Sequence, residues 1–341
     1  MSGPITGEDV ATAPNRITLE PAGGQGVEIT ESRRQTVGAV PVRRALPIRA
    51  RRTVGAWCFV DHLGPLAVAP DPGPGGPRGI DIGPHPHTSL HTVTWLLAGE
   101  VRHLDSLGSE QVVRPGQLNL MTAGDGVVHA EEGTDYRGAL HGVQLWVAQP
   151  EATRHGPAAF EHHAELPCVE IGGAVATVLV GELAGAASPA RRDTELVGAD
   201  LALRPGQAVL PVRPDFEYAL VVTDGAVRVD NPSTGRRAAP AVVRPGQLAY
   251  LGAGRAELAL DAAEPARLLL LGGVPFEAPI VMWWNFVGRS HAELTTAFEQ
   301  WEQGGGGRGG GGQGGGGRFG PVASRLRRVP APPPPWRSVS R

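Results

Sequence analysis

Between residues 27 and 271 the chain alternates apolar, β-branched runs with turn signals. Residues 56–60 (AWCFV), residues 92–97 (TVTWLL), the stretch from Gln117 and residues 138–149 read as strands, bounded by Ala98-Gly99, Arg114-Pro115-Gly116 and Pro150. A second strand-rich stretch covers residues 169–271. Residues 70–84 form a Pro/Gly loop that cannot serve as a central strand. Residues 150–165 read as helix or loop. A helical period falls at 290–303: Ser290 fits the N-cap, Glu293 the third position of a capping box, and Leu294, Phe298 and Trp301 share one face. The pattern predicts an all-β chain with a short C-terminal helix.

The two strand-rich halves repeat each other. Residues 112–118 (VVRPGQL) recur as 242–248 at an offset of 130, and Ala123-Gly124 recurs as Ala253-Gly254 at the same offset. Gly99-Glu100-Val101-Arg102 resembles Gly225-Ala226-Val227-Arg228 at an offset of 126. A duplicated β-unit accounts for these matches. The expected organisation is a flexible arm (1–25), a first β-unit (26–150), a second (151–288), the helix (289–303), a glycine spacer (304–317) and an Arg/Pro-rich tail (318–341) that docks on the body.

Composition narrows the function classes. The 341 residues carry a formal net charge of -3, and all 31 basic residues are Arg. The chain as a whole is not a basic nucleic-acid binder. The Arg-rich run at 42–52 reads as a solvated face or a set of internal ion pairs. Two isolated cysteines, Cys58 and Cys168, make neither a disulfide framework nor a zinc finger, so reduced thiols are expected. The polar N-terminus has no apolar leader, and no apolar run is long enough to span a bilayer. A soluble, cytoplasmic monomer is expected.

Candidate chemistry concentrates between Gly79 and Glu131. His85-Pro86-His87 and His129-Ala130-Glu131 each place two polar side chains at i and i+2, which in a strand project from one face. Two such strands side by side aim three imidazoles and a carboxylate at one point. That donor set suits a borderline divalent metal (Fe, Mn, Co, Ni, Cu or Zn) and leaves open positions on an octahedral ion. His91 lies an even step beyond His87, so a regular strand makes it a fifth ligand, a donor to a ligand or a pocket lining. His62, His103, His141, His155, His162, His163 and His291 read as surface or satisfied core residues. Carried across the repeat, His85 and His87 fall on Pro211 and Arg213, and His129 and Glu131 on Ala259 and Asp261. The second unit should therefore be metal-free.

At these residues the chain resembles a known family. Gly79 through His85-Pro86-His87 to Gly99, and Pro115-Gly116 through Thr122-Ala123-Gly124 to His129-Ala130-Glu131, are similar to the two cupin motifs. Residues 85–88 (HPHT), 92–95 (TVTW), 115–118 (PGQL), 121–131 (MTAGDGVVHAE), 142–147 (GVQLWV) and 55–62 (GAWCFVDH) resemble the pirin family over about residues 30–300. The resemblance implies two tandem cupin (double-stranded β-helix, jelly-roll) barrels, with one metal in the first. It implies Fe(II) on His85, His87, His129 and Glu131. The chain departs from the family at His91, where Glu or Gln is typical, and at the glycine spacer.

Some bacterial members resemble quercetin 2,3-dioxygenases. The resemblance thus implies O2-dependent opening of a flavonol-like aromatic, with Glu131 also accepting a proton and Trp95, Leu118, Leu120, Met121 and Trp146 as apolar pocket walls. The alternative it implies is a non-catalytic metal- or redox-sensing regulator that binds a protein partner.

Overall fold

The computed structural model describes residues 26–68, 79–230, 232–233, 236–237, 240–304 and 317–336. The expected arm, residues 69–78 of the Pro/Gly loop and residues 305–316 of the spacer lie outside the described residues. The chain is β-rich, as the periodicity predicts, with one helix among the described residues.

Each half pairs a large antiparallel sheet with a small one. In the first unit the large sheet runs in the order Ala159–His163, Leu118–Thr122, Leu90–Ala98, Ala139–Ala148, Trp57–Ala67, Val40–Leu46, Arg33–Val37. The small sheet runs Ile82–His87, Val127–Glu132, Val101–Asp105, Glu110–Val113. In the second unit the large sheet runs Glu28–Glu31, Gln247–Gly252, Glu217–Asp224, Ala266–Gly273, Leu196–Leu203, Ala174–Leu183, Cys168–Ile171, with Ala186–Ala187 hung on Ala174–Leu183. Its small sheet runs Gly206–Pro211, Glu257–Ala262, Val227–Val229, Ala241–Val243.

The units exchange edges. Glu28–Glu31, read from sequence as part of the first unit, pairs with Gln247–Gly252 of the second. Ala159–His163, expected as helix or loop, is a strand on the edge of the first unit's large sheet, paired with Leu118–Thr122. Only the turns before it, around residues 151–156, match the loop reading. Its sequence, Ala-Phe-Glu-His-His, lacks the β-branched signature of a strand, and an edge position with one neighbour tolerates that.

One apolar cluster joins the units: Trp57, Val60, Trp95, Leu118 and Leu120 pack with Leu179, Leu196, Val221, Leu269 and Leu271. The Trp57 indole N–H donates to Val197 O (3.1 Å) and Gly272 O (3.2 Å), so this buried ring crosses the interface with its polar atom satisfied. Gly198 makes room for it, because a Cβ there would lie 2.6 Å from Trp57 Cζ2.

The helix is His291–Gly304 and buries Leu294, Ala297, Phe298 and Trp301. Glu293 N–H donates to Ser290 Oγ (3.2 Å), as the capping box predicts. The returning Glu293 carboxylate accepts from Arg289 N–H (3.0 Å), and Arg154 also binds it (2.9 Å). The tail at 317–336 docks on the first unit. Val329 N–H donates to Pro84 O (2.9 Å), Ser324 Oγ–H to Glu132 Oε1 (2.6 Å), and Arg325 pairs with Asp81 and Glu132. Trp336 stacks on His291 at 4.1 Å.

That cover changes the ligand strands. Ile82–His87 and Val127–Glu132 are buried at every position, whereas their counterparts Gly206–Pro211 and Glu257–Ala262 alternate buried and open. Pro84 and Pro86 cost no ladder bond, because Ile82–His87 is the edge of its sheet.

The duplication is real, but its register slips. His129 pairs with His85, and Ala259, its partner at an offset of 130, pairs with Val209 rather than Pro211. Moreover Val209 is exposed and Ala259 and Asp261 are half-buried, whereas Leu210 and Leu258 face each other fully buried. A one-residue slip moves a side chain to the other face. The second unit therefore has leucines where the first has His85 and His129, and Ala259 and Asp261 are not the true equivalents of His129 and Glu131.

Candidate metal centre

Val127–Glu132 lies between Ile82–His87 and Val101–Asp105, so His85, His87, His129, His103 and Glu131 all come from one small sheet. One ring nitrogen from each of His85, His87 and His129 falls within 4.8 Å of the others, and all three rings are buried. His87 Nε2 and His129 Nε2 face each other at 3.1 Å. His85 Nε2 is buried without a hydrogen-bond partner. Glu131 is buried two residues beyond His129 and opposite His103, outside this three-residue group. A bulge between His129 and Glu131 shifts the pairing with Ile82–His87 at that point.

The opposite nitrogens explain why these edges are free. His85 Nδ1 lies 2.9 Å from Gly83 O, and His87 Nδ1 lies 2.9 Å from Asn285 O. A carbonyl only accepts, so Nδ1 carries the proton in both rings and Nε2 carries the lone pair. Asn285 sits in a tight hairpin between Val281–Trp283 and Phe286–Gly288, where Trp284 has φ 54°. A bulky residue in that left-handed region is strained, and the turn it makes presents the Asn285 carbonyl to His87.

Burial sets the charge state. It pushes His85 down to about 3 and holds His87 and His129 well below the usual histidine range, with neighbouring rings adding to the effect. Three neutral imidazoles with converging lone pairs form a donor set for a borderline divalent ion. The orphaned His85 Nε2 and the two facing Nε2 atoms fit such an ion, which would satisfy all three at once.

His103, read from sequence as an ordinary core histidine, touches the centre. Its Nδ1 is 3.4 Å from His129 Nδ1, its Nε2 is 3.1 Å from Asp105 Oδ2, and its ring stacks on Phe160 at 4.4 Å. Burial lowers His103. Asp105 is lowered too, because hydrogen bonds from His103 and Ser109 outweigh its own burial. No spacing along its strand signals this, because His103 sits opposite Glu131 and reaches His129 only diagonally across the sheet.

His91 faces the other way. Ser89, at φ 57°, breaks the strand between His87 and Leu90, so an even count from His87 no longer means a shared face. His91 Nδ1 meets Thr122 Oγ1 (2.9 Å), and its Nε2 meets Asp193 Oδ2 (3.1 Å). Burial pushes Asp193 up, but hydrogen bonds from His91, Arg191 and Thr153 hold it well below the carboxylate range. His91 ties the first unit to the second half, and both of its nitrogens are engaged away from the three-histidine cluster.

The pocket walls divide by the same parity. Trp95, Leu118 and Leu120 belong to the cluster between the units, and the Trp95 N–H donates to Asp200 Oδ2 (2.9 Å). These three are not walls of the centre. Trp146 is: its ring meets His87 edge-on at 5.0 Å and stacks on Phe59 at 4.0 Å, and both pack in one cluster with Met121. Arg44 and Asp61 form a buried two-point ion pair (both bonds 2.8 Å) beside Phe59.

The chain is similar to known proteins along most of its length. The pirin profile matches residues 39–147, and the pirin C-terminal cupin domain matches residues 198–307. The chain is 43% identical over 302 residues to a Pseudomonas aeruginosa protein provisionally named a quercetin 2,3-dioxygenase, covering 88% of each. It is 38% identical to a pirin-like protein of Caulobacter vibrioides, covering 81% of this chain and 93% of that one. A crystal structure titled quercetin 2,3-dioxygenase from Acinetobacter baumannii superposes with a TM-score of 0.80 at 37% identity, covering 91% of this chain and 96% of that one. With both cupin units matched and relatives aligned along most of its length, the chain belongs to the pirin family.

Proposed function

We propose that the chain is a metal-dependent dioxygenase that opens flavonol-type aromatic rings, with Fe(II) on His85, His87, His129 and Glu131. The observation that carries this reading is the convergence of three buried imidazole nitrogens, two of them 3.1 Å apart. The names of the similar Pseudomonas and Acinetobacter proteins support the substrate class. When bound, the metal supplies a Lewis-acid centre with open positions for a chelating hydroxy-ketone and dioxygen. Carbonyl bonds from Gly83 and Asn285 keep His85 and His87 oriented toward it. Glu131, buried on the face of His129, completes the ligand set and accepts the substrate hydroxyl proton. Trp146, Phe59 and Met121 give the aromatic substrate an apolar wall and keep water out.

The test is to load the protein with Fe(II), add quercetin under oxygen and follow loss of flavonol absorbance, with His129→Ala and free Fe(II) as controls. Turnover no faster than free Fe(II) sinks the dioxygenase reading. The complete burial of the three imidazoles favours a second reading, a metal- or redox-sensing regulator. That reading expects stoichiometric metal without turnover.

A further inference from the structure

The three imidazoles are held in two different ways. His85 and His87 donate Nδ1–H to backbone carbonyls, which cannot change their hydrogen-bonding role. Among the described residues, His129 has no such carbonyl. Its Nδ1 faces a second imidazole, His103, which in turn meets a carboxylate, Asp105. The tautomer of His129 is therefore decided two residues away.

The order of donation follows from Asp105. Its Oδ1 accepts from Leu107 N–H and Ser109 N–H, both at 2.9 Å, so the carboxylate is clamped with Oδ2 aimed at His103. A carboxylate accepts, so His103 Nε2 carries the proton and its Nδ1 the lone pair. That lone pair accepts the His129 Nδ1–H across a long 3.4 Å contact. His129 Nε2 is then left bare, facing His87 Nε2. Phe160, stacked on His103 at an interplanar angle of 13°, stops the ring from turning out of line.

We infer that Asp105 and His103 are positioning residues for the metal centre, fixing His129 in the tautomer whose Nε2 can ligate. This rests on the reading of His129 as a ligand. Partners of this kind orient ligating histidines and raise their basicity in metal sites generally, and their loss costs about 10–100-fold in affinity.

The chain of donors predicts a reversal. In Asp105→Asn, the two backbone N–H groups retain the amide oxygen, so the amide nitrogen takes the place of Oδ2 and donates to His103 Nε2. The His103 proton moves to Nδ1, His129 Nδ1 must accept, and the His129 proton shifts to Nε2. In His103→Asn, the side-chain oxygen replaces the Nδ1 lone pair and still accepts from His129. Combining the two should therefore undo the effect of Asp105→Asn, because position 103 no longer transmits the switch.

Nitrogen-15 imidazole spectra of the metal-free full-length protein report the His129 tautomer, and competition with a chelating dye reports Co(II) affinity. The expected result is a His129 proton on Nδ1 in wild type, on Nε2 in Asp105→Asn, and on Nδ1 again in the double variant. Co(II) affinity should fall about 10–100-fold in Asp105→Asn and recover at least tenfold in the double variant. An unchanged tautomer in Asp105→Asn overturns the inference. So does a switched tautomer with unchanged affinity, or a double variant no better than the single one. Failure of wild type to bind any stoichiometric metal would instead count against the proposed function, and the tautomer spectra separate the two.

Discussion

The metal-free protein should lose stability steeply below neutral pH. His85 and His62 are both buried, and burial pushes each down to about 3 from a usual value of 6.5. Above pH 6.5 both are neutral in either state, and their contribution to stability is constant. Between 6.5 and 3 the unfolded chain binds a proton at each ring and the folded chain does not, so stability falls as pH drops. Each ring accounts for about 1.4 kcal/mol per pH unit. At pH 5 that is about 2 kcal/mol per ring, or roughly 4 kcal/mol for the pair. His87, His103 and His129 are lowered by the same burial and act in the same direction. Urea unfolding of the chelator-treated protein from about pH 7 to pH 5 measures this, with His62→Gln as an internal check. That substitution, outside the metal centre, should reduce the slope by about 1.4 kcal/mol per pH unit. Equal stability at both ends of the range would refute the reasoning, since it would require these rings to be protonated in the fold.

Three further outcomes follow from particular contacts. Asp61→Asn should destabilise the fold by about 3–5 kcal/mol in urea titrations, because buried Arg44 would lose the carboxylate charge that makes both of its 2.8 Å bonds. His91→Glu should leave Co(II) affinity within about twofold but cost about 1–3 kcal/mol of stability, because it sets a carboxylate against Asp193 and removes a buried donor. A chain ending after Gln303 should exchange the backbone amides of Ile82–His87 at least about tenfold faster in hydrogen-exchange measurements, because the tail covers that edge strand and bonds Pro84.

The sequence was most legible where pattern and local geometry coincide. The i, i+2 histidines needed only a strand to converge, and the structure brings His85, His87 and His129 together as that pattern implies. The helix was equally legible, because Ser290, Glu293 and the Leu294–Phe298–Trp301 face are local signals. Errors arose where one residue changes parity. Ser89 turns His91 away from the centre, and the slip beyond Gly254 turns Ala259 and Asp261 outward. The alternation along Leu118–Thr122 similarly sends Leu118 and Leu120 to the interface and Met121 to the centre. His103 was missed for a different reason. Its role depends on a diagonal neighbour across a sheet, and no spacing along one strand encodes that.

The two units show why one scaffold can build a candidate metal centre that its copy lacks among the described residues. Three unpaired imidazole nitrogens inside a sheet are costly to desolvate unless each ring's other nitrogen is satisfied. The first unit supplies that with Gly83 behind His85 and His103 behind His129, and it borrows Asn285 from beyond its strands for His87. Asn285 reaches His87 from the hairpin that follows the second unit's last sheet strand, and Phe160 stacks on His103 from the edge strand of the first unit's large sheet. The tail then seals the outer face, where Glu132 meets Ser324 and Arg325. The corresponding strands of the second unit have no such cover and pack Leu210 and Leu258 instead. Restoring histidines at those two positions would therefore not create a second centre. The rings would converge, but nothing comparable to Asn285 or to the His103–Asp105 pair stands behind them among the described residues. A Leu210→His/Leu258→His variant should accordingly lose stability by several kcal/mol and bind no second equivalent of Co(II) by equilibrium dialysis. A second stoichiometric ion in that variant would show that the supporting contacts are dispensable.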